Sequence, residues 1–393
     1  MKRSARLPTF TALCALFCAF PLHAAWSQGG HLRTIPRDAN SVTRLDRTPM
    51  TSAQVSTAVE RAMATHHVTG MAVAVINRAE IVYRGAFGAR DVTQKTRLSD
   101  STVMNAGSLA QAMIGYLVMQ LVDTRTLNLD TPVSTYLAQP PEGYGAVASD
   151  ARYARVTLRM LLDHTSGLSR HTTAGADTSL YFQFDPGMRY QYTSDGFDLV
   201  GIVVARATTQ SLDALLQERV CKPFGMTHTS LAWTPTFASR AATGYDARGA
   251  AVTTSPVATA RAGGPVYSTL DDMARFVRGI LGDARLSLPA RAELFKPQAR
   301  IAHEASASAT SSTASRVLSP RVSSGLGWGV FLSPYGPVFF QESSQDGWSS
   351  YIMAVDDAKT AVVFLSNSAN GAHAALDLAM ALTSQRPPSG TLH

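Results

Sequence analysis

The chain has 393 residues, 45% hydrophobic and 16% charged, which is enough apolar material for one large domain or two ordinary ones and excludes collagen, coiled coil and wholesale disorder. Lys and Arg number 35 against 28 Asp and Glu, a formal charge of +7; the first 24 residues hold three of those cations and no acid, so their removal leaves +4. The excess is scattered, with no basic run or aromatic-interleaved patch, and nucleic acid is not an expected partner.

Residues 1–24 read as an export signal: a basic start from Met1 to Arg6, an apolar stretch from Leu7 to Leu22, and small Ala24 before a cut at Ala25. Pro8, Pro21 and the short length argue against a stable membrane span, with an uncleaved anchor as the alternative. Cleavage leaves Cys221 as the one cysteine, which excludes an intramolecular disulfide and reads as a buried structural thiol. Scattered histidines give no metal-ligand spacing, so neither a metal nor another cofactor is expected.

Residues 25–51 are polar and irregular and read as a loose leader. From Ser52 to His66, Val55, Val59, Ala62 and Met63 recur at helical spacing. Gly70–Ile76 and Ile81–Phe87, separated by Asn77-Arg78-Ala79-Glu80, predict a hairpin. Ser108 opens a helix to about Val122, dense enough in apolar residues to be buried. Residues 108–261 read as mostly helical with long loops, and a further helix follows a cap near Ser268-Thr269. Residues 302–324 are rich in Ser, Ala and Thr and predict an exposed, mobile insertion. Gly325–Leu332, Tyr351–Val355 and Thr360–Leu365 are short β-branched or aromatic runs that predict antiparallel strands, and a last helix spans about His373 to Thr383. Strands at both ends with helices between imply one domain over 52–387. Its sheet comes from 52–107 and 262–387, and the helical region is inserted between them.

Several stretches occur in a telling order: Val68-Thr69-Gly70 through Val75, Ala106-Gly107-Ser108, Leu161-Leu162-Asp163-His164-Thr165-Ser166-Gly167-Leu168, Pro223-Phe224-Gly225-Met226, Ala262-Gly263-Gly264, and Asp346-Gly347-Trp348 through Tyr351. In these the chain resembles the β-lactamase-related serine acyl-enzymes, from about Ser52 to Ser384. That group includes class C β-lactamases, D-alanyl-D-alanine peptidases and β-lactamase-like esterases. The resemblance implies a β-lactamase/transpeptidase-like α+β fold and three constellations of side chains around a cleft.

The first is a helix-opening Ser with Lys three residues on, so that an amine reaches the hydroxyl. Here the pair is Ser108 and Gln111. A carboxamide takes up no proton at neutral pH and carries no charge to depress a neighbour's pKa. The second is Tyr, any residue, Asn, which falls on Tyr192 and Ser194. Without a cation nearby, the Tyr192 phenol is expected near its ordinary ~10, making it a poor base. The third is Lys or His, any residue, Gly on an edge strand, which falls on Gln341-Glu342-Ser343. Lys359-Thr360-Ala361 mimics that motif but lies on the strand after Tyr351 and lacks the Gly. The mature chain's four lysines (Lys95, Lys222, Lys296, Lys359) all miss the catalytic slots.

The resemblance also implies an oxyanion site from the backbone N–H groups of Ser108 and Ser344, donors expected to survive side-chain change. Ser108 is thus a nucleophile or a small residue at a buried helix start. Gln111 faces substrate or is bonded within the cleft. Tyr192, Ser194, Gln341 and Ser343 line the cleft, and strand alternation turns Glu342 away from it. His164 reads as structural. Two function classes follow. One is an exported, monomeric, catalytically impaired homologue that binds a small acyl or peptide-like ligand, cell-wall-derived in one version, in the periplasm or outside the cell. The other is an esterase, transacylase or other serine hydrolase with redirected chemistry at Ser108 and Tyr192.

Overall fold

The computed structural model describes residues 41–139, 141–170, 179–253, 255–282, 285–301 and 322–388, all within one compact unit. The export signal and the part of the insertion over 302–321 lie outside the described residues.

The hairpin forms as expected, with strands β1 (Gly70–Asn77) and β2 (Glu80–Asp91). They belong to a nine-stranded sheet with β3 (Thr96–Arg97), β4 (Ala299–Arg300), β5 (Ser323–Ser324), β6 (Gly329–Ser333), β7 (Gly336–Gln345), β8 (Trp348–Val355) and β9 (Thr360–Ser366). The order is β4-β5-β6-β7-β8-β9-β1-β2-β3, with every neighbouring pair antiparallel. The β9–β1 pairing, Ser366 opposite Met71 through Ala361 opposite Ile76, joins the two ends of the domain at the middle of the sheet.

β1 is buried along its length because both faces are covered. Val73 and Val75 pack with helices α1 (Ser52–His66) and the C-terminal Gly371–Thr383; Ala72, Ala74 and Ile76 pack toward α2 (Leu109–Asp123) and α3 (Leu270–Gly282). α1 opens on a reciprocal cap: Thr51 Oγ1 accepts the Gln54 N–H (3.2 Å), and Gln54 Oε1 accepts the Thr51 N–H (2.8 Å). Thirteen of the fifteen residues of α2 are buried, Gln111 among them, as its density of apolar residues predicts.

Two regions differ from expectation. Residues 42–50 of the supposed leader form a short antiparallel ribbon. Val42 is fully buried, and Asn77 accepts from the Thr43 N–H (2.9 Å) while donating to its carbonyl (2.9 Å), so tertiary pairing orders a segment without periodicity of its own. Ser323–Ser324, at the end of the supposed insertion, is strand β5 beside buried Val322.

Candidate active site

The start of α2 is held from two sides. Met104–Asn105 pairs with Tyr267–Ser268, and the Ala106 N–H donates to the Val266 carbonyl (2.8 Å). Ser350 Oγ on β8 donates to the Ala106 carbonyl (2.8 Å). Gly107 then turns the chain at φ +53° into Ser108, the residue before α2. Any Cβ at Gly107 would overlap the Ser343 hydroxyl, so this glycine is fixed by both its backbone angle and its neighbour.

Three of the expected side chains meet here. Ser108 Oγ lies 3.0 Å from the Tyr192 hydroxyl, and Gln111 Nε2 donates to that same hydroxyl (2.9 Å). An amide NH2 only donates. The phenol oxygen therefore accepts from Gln111, and while the phenol stays un-ionised it is no base for the Ser108 proton, whichever hydroxyl donates in the bond between them. Among the described residues no Lys or His is hydrogen-bonded to Ser108 Oγ. Gln111 is 1% exposed, and its Oε1 has no partner among the described residues. Burial raises the Tyr192 pKa, partly offset by its bonds from Ser108 and Gln111. The expectation of an ordinary value is corrected: the phenol is a weaker acid than in water, because the ring is enclosed.

His164 supplies part of that enclosure. It sits at φ +61° with its ring centroid 4.8 Å from that of Tyr192 and 5.1 Å from that of Phe197. Its Nδ1 accepts the Thr193 N–H (3.2 Å), so that nitrogen is already engaged. The turn around it is tied by Asp163 Oδ1, which accepts from the Thr165 N–H (3.0 Å) and Oγ1 (2.7 Å). Burial pushes the Asp163 carboxyl up from 3.8 to about 6 despite those bonds. The folded state therefore holds this proton more tightly than the unfolded chain. Its contribution to stability is full below about pH 4 and is lost as pH rises through about 6, a change on the order of 3 kcal/mol. Asp163→Asn keeps the acceptor and removes the titration. Urea midpoints between pH 4.5 and 7.5 should fall more steeply in the parent than in the variant, and parallel curves would refute the assignment.

β7 brings the third constellation. Beyond Phe340 it loses β6 and pairs only with β8, so an interior strand becomes an edge where it passes Ser108. Gln341 and Ser343 are buried on the α2 side. Gln341 Nε2 donates to the Gly327 carbonyl (3.0 Å), and its Oε1 accepts the Glu342 N–H (2.9 Å), which engages the amide structurally. Ser343 Oγ accepts the Ser108 N–H (3.1 Å). This corrects the expectation that backbone donors survive side-chain change. The Ser343 hydroxyl, at the position where the resemblance implies glycine, occupies the Ser108 N–H, one of the two donors that the resemblance implies. Ser344 is exposed. Ser194 opens the helix Ser194–Thr208, and its hydroxyl has no hydrogen bond among the described residues. Lys359 lies in the β8–β9 turn with Nζ 2.7 Å from Asp356, away from this chemistry. Cys221 is free and buried, and burial raises its thiol pKa.

Two neighbours were missed by sequence reasoning. Gln345 lies two residues beyond Ser343 on the same strand face, and its Nε2 would sit 3.0 Å from a Cβ at Gly107. Asn105 Oδ1 accepts the Gly107 N–H (2.9 Å). The strand alternation carried a signal for the first; nothing in the sequence marked the second.

A family model described as Beta-lactamase matches residues 55–385. Protein flp of Staphylococcus aureus (strain NCTC 8325 / PS 47) is 25% identical over 211 residues, covering 50% of this chain and 41% of that protein. D-alanyl-D-alanine-carboxypeptidase/endopeptidase AmpH of Escherichia coli (strain K12) is 29% identical over 230 residues, covering 54% of this chain and 57% of the relative. The chain thus spans about half the length of these relatives. In fold it is similar to a beta-lactamase/D-alanine carboxypeptidase from Pseudomonas syringae (TM-score 0.68, 16% identity, 85% of this chain and 98% of that one). It is likewise similar to the octameric penicillin-binding protein homologue from Pyrococcus abyssi (TM-score 0.67, 20% identity, 85% and 78%).

Proposed function

The chain belongs to the beta-lactamase family, and from that membership we propose that it is a catalytically impaired member, exported on its N-terminal segment, that binds an acyl or peptide-like ligand at the Ser108 cleft without efficient turnover. The observation that carries this is the state of Ser108: its hydroxyl faces a protonated phenol, and its N–H is bonded to Ser343 Oγ. A serine hydroxyl is a weak nucleophile until a base takes its proton. Loss of a positioned base costs roughly 10²–10⁴ in rate, and loss of an oxyanion donor roughly 10²–10³. What supports binding is that Ser108, Gln111, Tyr192 and Ser343 still lie together around that deficit. Among the described residues no single helix is long and apolar enough to cross a membrane. A monomer remains our reading of its state in solution.

The test is intact-mass analysis after incubation with a fluorescent penicillin and, separately, with p-nitrophenyl acetate. The parent chain should show no adduct beyond that of Ser108→Ala. A Ser108-dependent adduct that forms and turns over would replace this reading with that of a redirected serine hydrolase.

A further inference from the structure

Beside the cleft, past Asn105 and Gln345, lies a pocket of about 320 Å³. Three aromatic side chains shape it: Trp233, Tyr267 and Trp348. Trp233 and Tyr267 meet edge to face with centroids 5.3 Å apart. The Tyr267 hydroxyl accepts the Val257 N–H (2.8 Å), and the backbone N–H of Trp233 donates to the Val257 carbonyl (2.7 Å), so the wall is built rather than a chance gap. No charged side chain lines the pocket among the described residues. At its mouth the Asn105 NH2 and the Gln345 amide have no hydrogen-bond partner among the described residues. The cleft itself offers Ser108, Gln111, Tyr192, Gln341 and Ser343, and among the described residues no cation is hydrogen-bonded to any of these side chains.

Resting on the ligand-binding reading above, we infer that the site selects an uncharged ligand: an aryl or branched alkyl arm fills the aromatic pocket, and an amide or ester group meets the Asn105 NH2 and the Gln345 amide. The two halves of the argument are independent. An apolar arm gains by leaving water for an aromatic wall. A carboxylate loses hydration on entry and finds no cation to replace it, whereas a neutral amide finds both donors and acceptors. Ligands that end in a free carboxylate are therefore disfavoured.

Calorimetric titration of the full chain with three probes tests this. N-benzoylglycinamide should bind at least about tenfold more tightly than N-benzoylglycine, which carries the carboxylate, and than N-acetylglycinamide, which lacks the aryl arm. Ala242→Phe, which fills the pocket, should abolish the advantage of the aryl arm. Val257→Arg, on the pocket wall, should move the preference toward N-benzoylglycine and serves if the first variant does not fold. Equal or tighter binding of N-benzoylglycine to the parent chain overturns the inference, as does binding of the amide that neither folded variant alters, or no binding by any probe. Turnover at Ser108 would sink the ligand-binding reading but leave this preference standing; the carboxylate result would do the reverse.

Discussion

The double variant Gln111→Lys, Ser343→Gly is expected to acquire a penicillin adduct on Ser108 at least about 10⁴-fold faster than the parent chain, followed by intact mass against time. Each substitution addresses one deficit. Lysine at 111 would bring an amine to the Ser108 and Tyr192 hydroxyls, and it would remove the orphaned Gln111 Oε1. Glycine at 343 would withdraw the hydroxyl that occupies the Ser108 N–H, at a backbone cost of roughly 0.5–1 kcal/mol. Groups that act as a unit are non-additive, so either single variant should gain far less than the square root of the combined factor. Ser108→Ala in the double background must abolish the adduct. If the double variant is folded and no faster than the parent, the cleft has diverged beyond these two positions, and adding Ser194→Asn becomes the next step.

Gly327→Ala is expected to lower stability by roughly 2–4 kcal/mol in urea unfolding, combining left-handed backbone strain with overpacking. Gly327 lies at φ +82°, and a Cβ there would overlap the Gln111 carbonyl inside α2. Its carbonyl also accepts from Gln341 Nε2, so one residue seats both the helix that carries Ser108 and the strand that carries Ser343. The variant should therefore also weaken binding of N-benzoylglycinamide. A loss under 1 kcal/mol would mean that the 325–328 loop yields freely and does not position the cleft.

The outline of the fold was legible because its signals are local. Two apolar runs with a four-residue break predicted β1 and β2, and the apolar density of α2 predicted a buried helix. β7 was different. Val338, Phe339 and Phe340 give way to Gln341-Glu342-Ser343-Ser344-Gln345, a polar run that periodicity does not mark as strand. Only the resemblance marks its position in the chain. Its polarity is there because the strand leaves β6 and borders the cleft. Ser343 was legible as the residue in a glycine's place, but its bond to the Ser108 N–H depends on two segments 235 residues apart. The raised pKa of Tyr192 came from rings packed around it, His164 among them, which composition does not reveal.

The β9–β1 pairing has a consequence for how the chain is made. A ribosome releases Met71–Ile76 early, yet the partner strand Ala361–Ser366 emerges only after nearly 300 further residues. Until then the central strand lacks a neighbour on one side, and closing so long a loop is slow. A nascent chain in this condition stays unlocked, which fits the export proposed above. It also exposes an apolar edge to other chains, so a holdase should raise the yield of soluble protein more than any change at the cleft.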